Sequence, residues 1–386
     1  MKLALVISSL AGGGAERVMT TLANGWAASG VDVALITLAA VGIDEYELSP
    51  DVRRISLALS SRSEGAIAAV GNNVRRILAL RRAIARWKPE AVVSFVDTTN
   101  MLCVLACLGL DLPVIVSDRV AVTACPPRSV WRWLYRPLYK RAAAVVVQTL
   151  RGAAYVRQLT GRDAVVIPNP LKPSASRSES GRAPAAGTGA PTILAMGRLV
   201  RQKGFDLLVE AFARVASMHP DWRVVILGEG TERANLTASI HAAGLVDRVS
   251  LAGFASAPER AMRQADLFVL PSRFEGFPNS LLEAMAEGMP CISFDCPTGP
   301  KELIEHDVSG WLVPAEDVAA LAKGLDMLMG SAELRIRLGA QARGVQQSYS
   351  LAAILDKWNR LLESLSERPA PRVVSDRAGD KARSHG

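Results

Sequence analysis

Residues 271–283 read PSRFEGFPNSLLE, and they follow an apolar run over 265–270 that predicts a buried β-strand. After this polar turn, an apolar helical run over 281–287 ends at Gly288. In open α/β sheets, ligands bind at the carboxyl ends of strands, where helix N-termini present free N–H groups. The stretch therefore predicts a strand, a ligand-binding turn and a helix in succession.

Two carboxylates of this stretch are candidates for binding the hydroxyl groups of a sugar nucleotide. Glu275 lies in the turn, and Glu283 lies one turn beyond the expected helix start near Asn279 and Ser280. The helix N-terminus would bind a diphosphate, while the carboxylates would accept hydrogen bonds from sugar and ribose hydroxyls. Two alternatives stay open. Ser280 and Glu283 also form a capping-box pattern, and Glu275 alone could be a solvated loop acid.

As a unit, the stretch resembles the E-x7-E signature of retaining, nucleotide-sugar-dependent glycosyltransferases of the GT-B fold, glycosyltransferase family 4. The resemblance extends over most of the chain, and its central residues are Pro271-Ser272, Glu275-Gly276-Phe277 and Glu283-Ala284-Met285-Ala286. It implies two Rossmann-like, doubly wound parallel-sheet domains that face a cleft. It also implies transfer with retention of anomeric configuration and without a metal or other cofactor. No D-x-D metal motif occurs in the sequence.

The length and the composition fit two α/β domains, since the chain has 386 residues, 49% of them hydrophobic and 5% aromatic. Short, nearly continuous apolar strands alternate with helices, which predicts parallel sheets covered on both faces. We expect an N-terminal acceptor-side domain over 1–171, a linker over 172–190 and a nucleotide-sugar-binding domain over 191–348. A helix over 349–366 should cross back to the first domain, and the charged tail 367–386 should be disordered.

The net charge of +8 is unevenly distributed. Residues 1–190 contain 23 Lys/Arg and 13 Asp/Glu, whereas the remainder contains 22 and 24. This excess predicts an anionic partner for the first half, but no recognised nucleic-acid motif accompanies it. Two basic stretches with interleaved apolar residues, 72–88 and 131–141, predict contact with an anionic membrane, with Trp87 in an interfacial position. Each stretch could instead be a core helix with a solvated face.

The five cysteines show no C-x-x-C spacing, which predicts buried, reduced thiols in the cytosol. The first apolar run, 3–7, is short and leads into a glycine turn, so we interpret it as a strand rather than a signal peptide. No apolar run reaches membrane-spanning length. We therefore expect a cytoplasmic protein that is peripheral on the inner face of the plasma membrane.

Backbone and side-chain groups for a diphosphate are expected at two other strand ends. Gly13 and Gly14 follow the first strand and open a helix, where backbone N–H groups can approach a phosphate closely. In the second half, Arg198 and Lys203 belong to a pattern that resembles the family's G-R-L-x-x-x-K-G, and they would neutralise the leaving diphosphate. The alternatives are a plain flexible turn for the glycines and a solvated basic loop for the cations.

The resemblance also places Gly228 in a glycine turn near the nucleotide base and Phe254 at a base-contacting position. A β-turn and a core phenylalanine are the alternatives. Many relatives carry a histidine at the end of an N-domain strand, but the histidines of this chain all lie beyond residue 190. Asp118, Arg119 or Asp97 could take that polar role on the acceptor side. An ion pair between Asp118 and Arg119 is the structural alternative.

These observations, together with the resemblance, predict a hexosyltransferase that uses a nucleotide sugar. The resemblance alone implies uridine as the preferred base. The acceptor would be a polyprenyl-diphosphate-linked or other glycan in cell-surface polysaccharide assembly. The alternatives are a non-catalytic nucleotide-sugar or lipid-phosphate binding protein, and a phosphorylase or epimerase on the same fold. Turnover distinguishes these classes, because fold by itself does not determine function.

Overall fold

The computed structural model describes residues 1–59, 66–119, 130–172, 189–255 and 258–366. The expected tail 367–386, most of the expected linker 172–190 and Cys125 lie outside these residues. Within them, the chain forms two parallel β-sheets, each flanked by helices.

The first sheet contains β1 (Lys2–Ile7), β2 (Asp32–Thr37), β3 (Val52–Ser56), β4 (Ala91–Phe95), β5 (Val114–Ser117), β6 (Ala144–Val147) and β7 (Val165–Val166). The helices of this half are α1 (Gly14–Ala28), α2 (Ala66–Trp87), α3 (Asp97–Cys107), α4 (Val130–Tyr139) and α5 (Leu150–Thr160). The strand order among the described residues is β3-β2-β1-β4-β5-β6-β7, and every neighbouring pair is parallel.

The second sheet contains β8 (Thr192–Met196), β9 (Arg223–Leu227), β10 (Val249–Gly253), β11 (Leu267–Leu270), β12 (Cys291–Asp295) and β13 (Trp311–Pro314). The later helices are α6 (Phe205–Val215), α7 (Arg233–Ala242), α8 (Pro258–Gln264), α9 (Asn279–Ala286), α10 (Pro300–Leu303), α11 (Val318–Gly330), α12 (Ala332–Ala342), α13 (Val345–Ser348) and α14 (Leu351–Ser366). The strand order is β10-β9-β8-β11-β12-β13, again parallel.

Both sheets reverse their strand order beside the first strand, between β1 and β4 and between β8 and β11. This reversal is the topological switch point at which doubly wound sheets bind ligands. The predicted fold class, two doubly wound parallel-sheet domains, is confirmed. The carboxyl ends of β8 and β11 place residues 197–204 and 271–279 next to each other.

Strand β1 shows why apolar runs predicted the sheets. Leu3, Leu5 and Ile7 belong to the core on one face, Ala4 and Val6 belong to the core on the other, and all five are 0% exposed. A strand buried on both faces needs apolar residues at every position. The continuous run, rather than an alternation, is therefore the signal of a central parallel strand.

Helix α3 was not predicted from the sequence. It begins at Asp97 directly after β4, through Val96 with a φ of 74°, so no loop separates the two elements. Most of its residues are buried, and a helix that is apolar nearly all round has no amphipathic period to recognise. Its residues 101–107 looked instead like part of a featureless apolar run.

The last helix, α14, packs on the first domain although it follows the second. Trp358 is fully buried, with its ring edge-on to Trp26 at 6.1 Å and stacked on Phe95 at 6.3 Å between centroids. A Cβ atom at Gly25 of α1 would lie 2.8 Å from the Leu355 side chain, so α1 and α14 approach closely at this glycine. The chain thereby joins its C-terminus to its N-terminal domain through one aromatic cluster.

We expect Trp358→Ala to lower the free energy of unfolding by about 3–5 kcal/mol, because the substitution leaves a cavity beside the rings of Trp26 and Phe95. Denaturant unfolding, followed by far-UV circular dichroism, measures the change. Trp133→Ala is the matched control, since Trp133 is 85% exposed. Equal effects of the two substitutions would contradict a structural role for the α14 contact.

Candidate active site

The turn after β11 holds Glu275 in a buried position. Glu275 is 4% exposed, and its Oε1 accepts hydrogen bonds of 2.6 Å from Lys203 Nζ and from Ser272 Oγ. The hydroxyl of Thr298 donates to the backbone carbonyl of Glu275. A buried carboxylate requires such partners, and an ammonium group is the strongest of them. The solvated loop acid considered from the sequence is therefore wrong.

Arg273 fixes the same turn to the neighbouring loop. Its guanidinium binds both carboxylate oxygens of Asp206 at 2.7 and 2.8 Å, and it contacts Glu316 at 2.9 Å. It also donates to the carbonyl of Arg201, while Gln202 donates to the carbonyl of Phe274. The loop that carries Lys203 and the turn that carries Glu275 are thus linked by backbone and side-chain bonds.

Glu283 lies on α9 and pairs with the opposite domain. Its Oε1 is 2.5 Å from a guanidinium nitrogen of Arg17 on α1. Burial raises the pKa of Glu283 above its usual range, although Arg17 acts in the opposite direction. The capping-box alternative is not formed, because the N-cap of α9 is Pro278 and no side chain caps it. Ser280, the residue that the capping box required, lies in the first turn of the helix.

Two glycines bring the ends of β8 and β9 together. Gly228 has a φ of 140°, and a Cβ atom there would overlap the carbonyl oxygen of Gly197. Arg198, which follows Gly197, is exposed at this strand end. Phe254, beyond β10, is 81% exposed, so the core-phenylalanine alternative is wrong. Its accessible ring is compatible with the predicted base contact, which stays a prediction.

The glycine turn of the first domain faces α9 across the cleft. Gly13 is the N-cap of α1, and a Cβ atom at Gly14 would lie 3.2 Å from Asn279 Nδ2. Asn169, which lies in the segment joining the domains, donates to Asn279 Oδ1 at 2.8 Å and accepts from Arg119 at 2.5 Å. Two helix N-termini therefore point into one space, with a hydrogen-bond chain along its side.

Glu16 and Arg17, in the first turn of α1, carry the charges that the first domain presents to this space. Arg17 binds Glu283, as described, and the half-buried Glu16 carboxylate is within electrostatic range of Arg198. Neither residue was predicted for the site from the sequence. The available signal was Arg17 itself, a cation at the place where a dinucleotide fingerprint would have its last glycine.

The acceptor-side candidates do not form one group. The Asp118 carboxylate is buried and accepts hydrogen bonds from the hydroxyls of Tyr135 and Tyr139, with the amide of Asn100 at 3.3 Å. Burial raises its pKa to about 6, although the three donors act in the opposite direction.

Arg119 and Asp97 have separate surroundings. The guanidinium of Arg119 stacks on Phe95 at 3.6 Å and donates to Asn169, so its contacts are not those of the ion pair considered from the sequence. Asp97 accepts from the backbone N–H of Thr98 at 2.7 Å at the start of α3. Asp97 therefore has a helix-terminal role, and only Asp118 borders the large cavity described next.

A cavity of about 870 Å³ lies between the domains, beside the Glu275 turn. Both domains contribute to its wall, which includes Asp118, Gln148, Tyr155, Gln202, Phe274 and Thr298. Its size is in the range of small-molecule sites. The donor-side groups and this cavity meet at residues 274–276, so a ligand in the cavity would reach the vicinity of Glu275.

The structure thus brings most of the donor-side predictions together and separates the acceptor-side ones. Lys203 contacts Glu275 directly, and Gly14 and Asn279 face each other. No group of three or more His, Cys, Asp or Glu side chains in the described part of the chain could hold a metal ion. The arrangement offers cations and helix N-termini for a diphosphate, and carboxylates for hydroxyl groups.

Two family descriptions match this chain. The family of glycosyl transferases group 1 matches residues 176–345, and the glycosyl transferase 4-like domain matches residues 13–170. The two matched segments correspond to the two parallel-sheet units. The family that the E-x7-E stretch predicted is therefore confirmed.

Individual relatives cover the chain to different extents. An α-1,4-N-acetyl-D-galactosaminyltransferase from Campylobacter jejuni, whose name specifies a diNAcBac-PP-undecaprenol-linked acceptor, is 28% identical over 94% of this chain and 98% of its own length. An exopolysaccharide phosphotransferase from Streptomyces coelicolor is 35% identical over 63% of this chain, and the match spans 26% of that relative. The crystal structure of Anabaena HepE in complex with UDP has a TM-score of 0.75 at 18% identity, covering 94% of this chain and all of the other.

We expect the stability of the protein to depend on pH through Asp118. Because the folded-state pKa of about 6 lies above the ordinary value near 3.8, Asp118 adds stability below about pH 4 and loses it as the pH rises through 6. The two-unit shift corresponds to roughly 3 kcal/mol. Asp118→Asn should abolish this pH dependence.

Denaturant unfolding at pH 4, 5, 6 and 7 measures the difference between wild type and variant. Asp111→Asn, at an exposed position, controls for the removal of a carboxylate charge. A wild-type–Asp118→Asn difference that stays constant from pH 4 to 7 would contradict the assignment.

Proposed function

Because this chain belongs to glycosyltransferase family 4, with its two-domain GT-B fold, we propose that it moves a hexose or N-acetylhexosamine from a nucleotide sugar to a lipid-linked glycan. The observation that carries the proposal is the buried Lys203–Glu275 pair, which lies where the ends of β8 and β11 meet the N-terminus of α9. The name of the Campylobacter relative supports a diphosphate-linked acceptor, and the HepE complex supports UDP as the nucleotide.

In the proposed reaction, Arg198 and Lys203 neutralise the charge that develops on the departing nucleoside diphosphate. The N-termini of α1, at Gly13, and of α9 add backbone N–H groups at the same place. Glu283 accepts hydrogen bonds from the ribose, and Glu275 positions the hydroxyls of the transferred sugar. The hydrogen bonds that the Glu275 carboxylate accepts from Lys203 and Ser272 both involve Oε1. The other carboxylate oxygen, Oε2, is therefore the atom expected to face the sugar.

The proposal includes retention of anomeric configuration and transfer without a metal. The acceptor hydroxyl attacks the face from which the phosphate departs, and a phosphate oxygen takes its proton. The interdomain cavity of about 870 Å³ would hold the acceptor, and its wall includes Asp118. Since the carboxylate of Asp118 is enclosed by two tyrosines and an asparagine, we assign it a role in shaping this wall rather than in proton transfer.

A membrane-facing surface on the first domain is the second part of the proposal. Val70, Val74 and Leu78 are 65%, 48% and 46% exposed, and their spacing of four residues places them on one face of α2. The exposed arginines near this stripe are Arg75, Arg82 and Arg86. An apolar stripe flanked by cations fits the surface of an anionic bilayer. Among the described residues, no helix is long and apolar enough to cross a membrane.

Part of the predicted membrane surface is wrong. The Trp87 indole donates to the carbonyl of Leu3 at 3.3 Å, and its ring lies beside Lys2 and Arg53, so it is not an interfacial anchor. Arg81 donates to the last carbonyls of α3 and its following loop. In the second basic stretch, Trp133 is 85% exposed, whereas two tyrosines are buried. The proposed surface is therefore the stripe of Val70, Val74 and Leu78 on α2, with its exposed arginines, together with Trp133.

We expect acceptor-dependent release of nucleoside diphosphate from UDP-sugars in the presence of a polyprenyl-diphosphate glycan. Arg198→Ala and Glu275→Gln should each lower this rate about 100-fold or more, because each removes a group proposed to act on the reacting sugar phosphate. A panel of UDP- and GDP-sugars, assayed with and without EDTA, identifies the donor and tests metal independence.

The matched controls are Arg214→Ala and Glu210→Gln, which alter an exposed ion pair on α6. These variants should retain wild-type rates, since exposed pairs contribute little. Tight donor binding without release would indicate a binding protein. Isomerisation of the donor without acceptor would indicate an epimerase, and a requirement for free phosphate would indicate a phosphorylase.

We expect the protein to sediment with phosphatidylglycerol vesicles and not with phosphatidylcholine vesicles. Leu78→Glu should weaken this binding about tenfold, because it removes an apolar contact and adds a repelled charge. Met218→Glu is the control, since Met218 is a 58% exposed apolar residue of the other domain. Equal binding to both lipids, or equal effects of the two substitutions, would refute this surface.

A further inference from the structure

The carboxylate of Glu16 lies over the N-terminus of its own helix, α1. A Cβ atom at Gly13 would overlap the Glu16 Oε2 atom, so the side chain folds back across the glycine turn. This position is the one that free N–H groups at a helix start make favourable for an anion. An anionic side chain therefore occupies the anion site that the glycine turn was predicted to provide.

The same carboxylate interacts with a cation of the opposite domain. Burial raises the pKa of Glu16 above its usual range, whereas its own backbone N–H and the charge of Arg198 act in the opposite direction. Arg198 is also the residue expected to neutralise a diphosphate. Glu16 thus lies at one element of the expected diphosphate site, the α1 N-terminus, and within electrostatic range of the other, Arg198.

The next residue, Arg17, also interacts with a charged group of the second domain, but here the cation is on α1 and the carboxylate is on the second domain. Arg17 binds Glu283 at 2.5 Å, and Glu283 is the carboxylate proposed to accept ribose hydroxyls. Of these two consecutive residues of α1, Arg17 therefore contacts Glu283 directly, and Glu16 lies within electrostatic range of Arg198. Opposite charges are thus near each other at both positions, Glu16 with Arg198 and Arg17 with Glu283. A helix end that only contacts solvent would not require this arrangement.

We propose that Glu16 competes with the donor diphosphate for the α1 N-terminus and for Arg198, and that this competition promotes release of the nucleoside diphosphate product. The inference rests on the proposed function, since it takes the diphosphate site from it. A bound diphosphate must displace the Glu16 carboxylate, because two anions cannot share one set of donors without repulsion. When the sugar has been transferred, the return of Glu16 opposes rebinding of the product.

Glu16→Gln tests this role, because it keeps the shape of the side chain and removes its charge. The dissociation constant of UDP, or of GDP if the wild type binds only GDP, is measured by titration calorimetry. We expect the variant to bind the diphosphate about five- to tenfold more tightly, the size expected for one like charge at a partly solvated site. The product-inhibition constant should fall by the same factor, and kcat should fall if release limits turnover.

Three comparisons make the test specific. The affinity for the nucleoside, which lacks the diphosphate, should not change in Glu16→Gln. In the Arg198→Ala background, Glu16→Gln should increase the diphosphate affinity by a smaller factor, because the guanidinium for which Glu16 and the diphosphate compete is absent. Glu45→Gln removes a second carboxylate at the same turn, the one that faces Gly12, and should produce a smaller gain.

Unchanged or weaker diphosphate binding by Glu16→Gln, with an unchanged melting temperature, would overturn the proposal. If Glu16→Gln increased the affinity for the nucleoside by the same factor, or if Glu45→Gln increased the diphosphate affinity by the same factor, the proposal would also be overturned. Either result would show that any loss of negative charge near the turn strengthens binding. A wild-type protein that binds neither UDP nor GDP would refute the proposed function, and the competition with it. A failure of the function is thereby distinguished from a failure of the Glu16 role.

Discussion

A carboxylate withdrawn from water sets the geometry of the second domain's ligand-binding edge. A carboxyl group at 4% exposure needs cationic and hydroxyl donors in place of its hydration, and Lys203 and Ser272 are those donors for Glu275. The turn after β11 must therefore remain against the loop after β8. The bidentate bond between Arg273 and Asp206 reinforces this register from the exposed side. These bonds fix the positions of the charged side chains before a ligand binds.

The two domains meet through polar groups rather than through an apolar interface at the cleft. The Arg17–Glu283 pair and the Asn169–Asn279 hydrogen bond cross it near the ends of α1 and α9. Apolar packing joins the halves elsewhere, where Trp358 of the last helix lies in the core of the first domain. Polar contacts between the domains can be replaced by polar contacts with a ligand at a small net cost in free energy. The buried aromatic cluster has no such replacement. The polar contacts at the site can therefore change when a ligand binds, while the apolar packing of Trp358 keeps the two domains joined.

Local signals account for what could be predicted. Continuous apolar runs identified the central strands, and the runs at 192–196 and 223–227 predict β8 and β9 with the bounds that the structure has. Helix α2 begins at Ala66, six residues before the basic helical stretch 72–88 that was recognised from the sequence, because residues 66–71 offer no capping signal. Helix α3 was missed since a buried helix has no polar face to create a period. The predicted interfacial position of Trp87 was wrong because its partners, Lys2 and Arg53, come from distant parts of the sequence.

The sequence by itself determined the two parallel sheets, the family and the residue types at the strand ends, because each depends on short-range pattern and spacing. Only the tertiary structure decided which of those residues touch. It paired Lys203 with Glu275, set Arg17 against Glu283 and placed Glu16 over the glycine turn within electrostatic range of Arg198. Except for Glu16 and its own turn, these partners lie 72 or more positions apart in the chain. Contacts of that kind depend on which strands become neighbours in a sheet and on how the two domains pack, and no local pattern encodes either.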